Sequence, residues 1–350
     1  MDERSPYRRI MAGQTGVWAA PLRAVLRAGA IIYGGVVYLR NRRFDRRGPT
    51  AILPVPVISV GNITAGGTGK TPLVIELVNH LEQMGYSPAV VSRGYAAFDE
   101  QINDEECVIR AECPGVVCVS DPDRVQAGEI AHSKYGADVI VLDDGFQHRR
   151  LSRTLDIVVV DASCPFGYGY LLPRGLLREP VANLARGDVA VVTRSDQVSS
   201  AAMSALDKKL RRIAPDAVHL HCRHSVTGVC RLDGTPIDGA LEGKRAVLFA
   251  GIGRPEAFAT TVRSLDVEVV GERWWPDHYH YRVRDIDSLL GAGTFPAHDV
   301  LLTTQKDAAK ISMLGRFEHA NILVVNIAID FLGDGGTILR SVLADALPRS

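Results

Sequence analysis

Residues 56–73 read Pro-Val-Ile-Ser-Val-Gly-Asn-Ile-Thr-Ala-Gly-Gly-Thr-Gly-Lys-Thr-Pro-Leu, and no other stretch constrains the fold as tightly. The apolar run from Val55 to Val60 predicts a buried strand. A glycine-rich turn follows, then Lys70 and Thr71, then a periodic segment from Leu73 to Leu81 that predicts a helix. Strand, glycine loop, Gly-Lys-Thr and helix form the layout of a phosphate-binding P-loop. Glycines let backbone N–H groups converge on phosphate oxygens with no Cβ in the way. The helix N-terminus adds its positive end. Thr64, Ala65, Gly66, Gly67, Thr68, Gly69, Lys70 and Thr71 are therefore the expected nucleotide cradle. Lys70 is placed to reach the β- and γ-phosphates and Thr71 to ligate Mg²⁺. The usual spacing puts a glycine five residues before the last one, and here that position is Thr64.

The rest of the chain supplies the frame. From Val55 to about Val198 short apolar runs (55–60, 88–92, 116–120, 138–143, 156–160, 188–193) alternate with helical segments (70–84, 123–135). This βαβ rhythm predicts a mainly parallel sheet, with ligands at the carboxyl ends of its strands. Residues 225–242 carry two turn signals, Asp233-Gly234 and Asp238-Gly239, and read as a hairpin-type linker. A second, smaller α/β unit follows, without a second P-loop. The expected organisation is a basic N-terminal segment 1–47, a P-loop domain 48–224, a linker 225–242 and a C-terminal α/β domain 243–350.

Charge is neutral overall but uneven. Residues 1–50 hold ten Arg and three acidic residues, a net +7, so that end invites a partner. Leu22, Val25, Leu26, Gly29, Ile32, Tyr33 and Val36 fall on one helical stripe, with Trp18, Tyr33 and Tyr38 as interfacial anchors. The uncharged stretch Ala28–Leu39 is shorter than the ~20 residues of a spanning helix. The expectation is an amphipathic helix lying in a membrane surface, its arginines toward anionic head groups. The six cysteines show no CxxC pair, which fits reduced, buried thiols rather than a zinc site or a disulfide framework.

Val139-Ile-Val-Leu-Asp-Asp-Gly-Phe-Gln-His148 is an apolar strand ending in two carboxylates, Asp143 and Asp144. A hard cation beside a P-loop wants such oxygen ligands, and the sequence leaves open which of the two touches Mg²⁺. Arg93, at the end of the preceding strand, is a candidate phosphate clamp. Arg174 and Arg178, in a Pro- and Gly-bearing loop, are candidates for an anionic substrate phosphate, as are Arg149 and Arg150; Gln147 and His148 complete the substrate set. Thr193-Arg-Ser-Asp196 and Thr304-Gln-Lys-Asp307 compete as base-reading loops.

Taken in order, residues 61–72, Ser92-Arg-Gly-Tyr95, Leu142-Asp-Asp-Gly-Phe-Gln-His148 and Leu172-Pro-Arg-Gly-Leu-Leu-Arg-Glu-Pro180 resemble the tetraacyldisaccharide 4'-kinases of lipid A biosynthesis. Ala250-Gly-Ile-Gly-Arg-Pro255, Pro276-Asp-His278 and Thr304-Gln-Lys-Asp-Ala308 continue the likeness. The resemblance implies transfer of the ATP γ-phosphate to the 4'-hydroxyl of tetraacyldisaccharide 1-phosphate, with ATP and Mg²⁺ as cofactors. It implies peripheral work at the cytoplasmic face of the inner membrane. Neither nucleic acid nor an obligate protein partner is expected. It further implies an Asp-His dyad that activates the sugar hydroxyl. The acid lies in a Gly-Asp-Glu-Pro motif, which here reads Asn103-Asp104-Glu105-Glu106. Asp104 is thus the candidate general base and His278 its orienting partner, with Lys70 the third catalytic residue. The rival reading is a P-loop GTPase, a nucleotide switch or metal-insertion protein, whose best support is Thr193-Arg-Ser-Asp196.

Overall fold

The computed structural model describes residues 6–13, 19–94, 104–237, 241–291, 293–317 and 319–347. Trp18, Tyr95, the acidic residues Asp99 and Glu100, Asn103 and the Asp238-Gly239 turn lie outside the described residues. In chain order the elements are α1 (Pro6–Met11), α2 (Ala20–Arg47), β1 (Val57–Asn62), α3 (Lys70–Gln83), β2 (Pro88–Ser92) and α4 (Asp104–Glu112). Then come β3 (Val117–Ser120), α5 (Arg124–Tyr135), β4 (Val139–Asp143), β5 (Leu155–Asp161), β6 (Val189–Thr193), α6 (Ser200–Ile213) and β7 (Val218–Arg231). The remainder is β8 (Arg245–Ala250), α7 (Pro255–Arg263), β9 (Glu268–Trp274), α8 (Val283–Leu290), β10 (Val300–Thr304), α9 (Gln305–Ser312), β11 (Ile322–Phe331) and α10 (Gly335–Ala346).

The chain forms two compact units. One comprises Arg9–Arg223 and Ile329–Ser350, the other Met1–Arg8 and His224–Ala328. In the larger unit the strand order is β3-β2-β4-β1-β5-β6-β7. The β1–β4, β1–β5, β2–β4, β2–β3, β5–β6 and β6–β7 pairs are all parallel. Strands β1, β2, β4, β5 and β6 are buried at every residue. Helices cover both faces of such a sheet, which is why these strands read as unbroken apolar runs. On α3, Leu73, Val74, Leu77, Val78 and Leu81 are fully buried against this core. Each such side chain contributes about 1.5–3 kcal/mol. After β1 the chain leaves to build β2 and β3, returns at β4 and crosses to β5. The order therefore reverses around β1, and the loop after it sits at the topological switch point where ligands bind.

The expected C-terminal domain boundary shifts. Residues 329–350 belong with the P-loop unit, because Leu339, Leu343 and Leu347 bury in the same core as Leu220 and Cys222. Leu332 N–H also donates to His221 O (2.9 Å). The expected linker begins as strand: β7 continues through Arg231, and the reversal falls at Asp233-Gly234, where Gly234 takes φ +84°. In the smaller unit β8 lies between β10 and β9, and β10 pairs with β11, all in parallel. All six cysteines are free thiols. Burial pushes Cys113 up to about 11 and Cys118 and Cys222 up to about 12, so these three act as small apolar residues.

Helix α2 extends well beyond the uncharged stretch Ala28–Leu39. It is 28 residues long, and an 18-residue window reaches a mean hydropathy of 1.4, so length and composition suffice to cross a membrane. The expected apolar stripe also divides. Leu22, Val25, Ile32 and Val36 are exposed, together with Ile31, Tyr38 and Leu39, whereas Ala30, Val37 and Asn41 are buried. The inner face is built from small and polar residues. A Cβ on Gly34 would lie 2.9 Å from Leu171, and one on Gly29 would lie 3.3 Å from Pro173. Tyr33 donates to Arg178 O (3.0 Å), and Asn41 to the fully buried Glu179 (3.0 Å). The helix is thus moored along its length, and its greasy side faces outward.

Candidate active site

Gly66 (φ +102°) and Gly69 (φ +86°) carry the left-handed turns of the loop after β1, a conformation a Cβ opposes. Thr64 carries none. It forms an antiparallel bridge with Leu177, and its carbonyl accepts from Asn62 Nδ2 (2.7 Å). Ala65 N–H donates to Leu176 O and Arg178 N–H to Ile63 O, each at 2.7 Å. The departure from the usual glycine is accommodated because residues 63–65 are held as a short paired strand. Gly66 and Gly67 stay exposed, open to a ligand. Lys70 and Thr71 open α3, with Gly69 as its left-handed cap.

Lys70 Nζ lies 3.2 Å from Asn62 Oδ1 and 3.2 Å from Asp144 Oδ1. Arg178 donates to both Asp144 oxygens, at 3.0 and 2.7 Å. Burial pushes the Asp144 carboxyl up, but the two cations outweigh it and hold the group well below the usual carboxylate range. Asp144 is therefore an anion at any working pH, held against the P-loop lysine. It also takes a left-handed φ of +54°, strain that the pair of cations helps to hold. Asp143 ends β4, and the β1–β4 register sets it beside Val60, at the strand end that launches the loop.

The sequence candidates divide on inspection. Lys70, Asp144 and Arg178 come together. Gln147 serves the loop, donating from Nε2 to Asn62 O (2.7 Å). Arg174 is not offered to a substrate: it is buried, donates to Met11 O (2.7 Å) and lies over the Tyr170 ring. Arg149 is likewise engaged with Asn41 O and Asp45, and Arg150 with Asp123. Arg93 is exposed at the carboxyl end of β2. Thr193 and Arg194 lie against the P-loop, donating to Thr68 O and Gly67 O. Asp104 is half-buried in the first turn of α4, beside Glu106, which is buried and held by Arg110 and Ser120.

Sequence reasoning missed Arg124. This guanidinium opens α5 at the carboxyl end of the sheet, is buried, and its Nε meets no partner among the described residues. Burial lowers its pKa, while Asp144 and Asp143 act to raise it. A buried guanidinium at these strand ends is a candidate anion-binding group, and its only sequence signal was its place after the Asp123 cap.

Burial, followed by the field of Arg124, lowers His148 to about 4. A histidine kept neutral in the fold takes its proton more readily when unfolded, so stability rises with pH between about 4 and the unfolded value near 6.5. Below that window the contribution is lost. We expect melting temperature to fall more steeply from pH 6.5 to pH 4 in the wild type than in His148→Gln. Parallel curves for the two proteins would contradict this placement.

Within the smaller unit, Asp307 is fully buried and accepts from Gly251 N–H (3.1 Å) and the Thr304 hydroxyl (2.7 Å). The Thr304-Gln-Lys-Asp307 acid thus holds its own unit together. His278 takes φ +58°, is half-exposed, and lies 3.9 Å from Asp277. It sits in a loop whose Trp275 and Tyr279 rings stack at 5.7 Å.

A glycine loop between a central parallel strand and a helix, its lysine held by an acid from the neighbouring strand's end, defines a P-loop nucleotide-binding protein. A family model described as tetraacyldisaccharide-1-P 4'-kinase matches residues 22–347. The chain belongs to that family. The tetraacyldisaccharide 4'-kinase of Anaeromyxobacter sp. (strain Fw109-5) is 40% identical over 278 residues, 74% of each chain. That of Syntrophus aciditrophicus is 36% identical over 321 residues, 84% of this chain and 85% of the relative. The crystal structure of LpxK from Aquifex aeolicus in complex with ATP superposes with a TM-score of 0.71 at 25% identity. It covers 93% of this chain and all of that one. The family assignment displaces the GTPase-switch alternative.

Proposed function

We propose that this protein transfers the γ-phosphate of ATP to the 4'-hydroxyl of tetraacyldisaccharide 1-phosphate, in lipid A biosynthesis. The observation that carries the proposal is the Lys70–Asp144–Arg178 cluster at the P-loop of a chain matched by the family almost end to end. Residues 64–71 cradle the triphosphate, and Lys70 leaves Asp144 to meet the transferring phosphoryl group. Arg124 and Arg93 offer charge to the anionic reactants at the same strand ends. Among the described residues no cluster of three or more His, Cys, Asp or Glu forms. The donor set, one hydroxyl and two carboxylates, fits Mg²⁺, which commonly takes its other ligands from phosphates and water. Thr71 with Asp143 or Asp144 would hold it, and the ion when bound neutralises charge developing on the phosphates. Asp104 accepts the proton of the sugar hydroxyl, a poor nucleophile near neutral pH without a base.

The substrate carries four acyl chains, and α2 suits a lipid surface. Its inner face is committed to Tyr33, Asn41 and their partners in the protein, so the helix lies along the interface rather than surrounded by lipid. Arg40, Arg42, Arg43, Arg46 and Arg47 are exposed at its end, toward anionic head groups at the cytoplasmic face of the inner membrane. We expect the wild type to float with anionic vesicles, and Ile31→Ser/Ile32→Ser/Val36→Ser to lose at least about tenfold in vesicle affinity, at about 1.5–3 kcal/mol per buried side chain. Equal flotation would remove this face from membrane binding. The activity itself is tested by incubating the protein with ATP and tetraacyldisaccharide 1-phosphate and weighing the lipid. A product heavier by one phosphate supports the proposal; an unchanged lipid with ATP bound would sink it.

A further inference from the structure

The P-loop is gripped from behind by a segment 125 residues away. The Thr193 hydroxyl donates to Thr68 O (2.9 Å), and Arg194 donates to Gly67 O (3.2 Å). Thr193 is fully buried at the end of β6. Arg194 is buried, forms an ion pair with the buried Asp161 at the end of β5, and takes a left-handed φ of +54°. Asp161 is fixed in turn by the backbone N–H and the hydroxyl of Ser163.

A trans peptide is planar, and its C=O and N–H point in opposite directions. Fixing the carbonyls of Gly67 and Thr68 toward β6 therefore turns the N–H groups of Thr68 and Gly69 the other way. Those are two of the amides that a P-loop aims at phosphate. Glycine-rich loops lose this geometry easily, because glycine peptides rotate at little steric cost.

We propose that Thr193 and Arg194, with Asp161 behind them, are positioning residues that preset the phosphate-binding amides before nucleotide arrives. The proposal rests on the reading that residues 64–71 hold the ATP phosphates. Neither residue touches the nucleotide, and the benefit is preorganisation: the loop need not be ordered at the expense of binding energy. The strained φ of Arg194 is held by a buried ion pair and serves to aim the guanidinium at Gly67 O. Lysine at this position would lack the planar fork that engages carbonyl and carboxylate together.

Thr193→Val keeps the branched shape and removes the hydroxyl. We expect its KM for ATP to rise about tenfold, with kcat at saturating ATP and the KM for the lipid acceptor within about twofold of wild type. Thr193→Ser restores the hydroxyl and should recover the ATP KM. Arg194→Met alone would strand the Asp161 charge, so the second arm is the double variant Asp161→Asn/Arg194→Met, expected to shift the ATP KM in the same direction. That arm decides the matter should Thr193→Val fail to fold. An unchanged ATP KM, a rise shared equally by the lipid KM, a lowered melting temperature as the only effect, or no recovery in Thr193→Ser would each overturn the proposal. Lys70→Ala separates the two levels. Full transfer in that variant would refute the P-loop reading itself. Loss of transfer there, with a wild-type ATP KM in Thr193→Val, would refute only the positioning role.

Discussion

Lys70→Ala loses phosphate transfer by about a thousandfold or more, the scale of removing a charged stabiliser aimed at the transition state. The structure says why one side chain carries so much. Lys70 stands at the first turn of α3, and its ammonium is held between Asn62 Oδ1 and Asp144 Oδ1, both at 3.2 Å. Truncation removes the cation nearest the phosphates and also leaves Asp144 with Arg178 as its close cationic partner. An ionised acid so released repels the γ-phosphate that the lysine would have drawn in. The fall is therefore expected mainly in kcat, with a smaller rise in the ATP KM. Lys70→Arg does not rescue, because a planar fork does not replace a compact ammonium between two oxygens. Mass-detected transfer to the lipid, measured over a range of ATP concentrations, gives both constants. Turnover within a few-fold of wild type would remove Lys70 from the chemistry.

Asp104→Asn lowers turnover by about 10²–10⁴-fold, the range expected when a general base is lost, while leaving both KM values near wild type. This corresponds to about 2.7–5.4 kcal/mol of barrier. A wild-type melting temperature separates this loss from a structural cost. The substitution is isosteric, and α4 is anchored elsewhere: Ile109 enters the core, and Glu106 ties Arg110 to Ser120. Loss of a carboxylate in a helix's first turn costs only about 0.3–1 kcal/mol through the helix dipole. A variant with wild-type melting temperature and lost turnover supports the base. Retained turnover would reassign proton removal to another group. The Asn103-Asp104-Glu105-Glu106 sequence keeps the Asp-Glu pair while replacing the flanking Gly and Pro of the family-like motif, and this measurement shows whether the pair suffices without them.

The sequence by itself determined what local rules govern. Residues 56–73 required a strand, a left-handed glycine turn and a helix, and β1, Gly66, Gly69 and α3 follow that order. Parallel buried strands were legible because covered strands are apolar throughout, and the Asp143-Asp144 pair was legible because a strand's end is where its periodicity stops. Tertiary structure decided what depends on distant partners. Only folding joins Arg178 to Asp144 across 34 residues, or Arg194 to Gly67 across 127. Only folding turns Arg174 inward onto Met11, leaves Arg124 desolvated, and returns α10 to the core of the P-loop unit. Helix α2 shows the division most clearly. Periodicity placed Leu22, Val25, Gly29, Ile32, Tyr33 and Val36 on one stripe, yet Gly29 and Tyr33 meet protein while the other four are exposed, because the face that meets protein is chosen by what lies opposite. Here Pro173, Leu171 and Glu179 select the glycines and Asn41, and the larger apolar side chains are left outward.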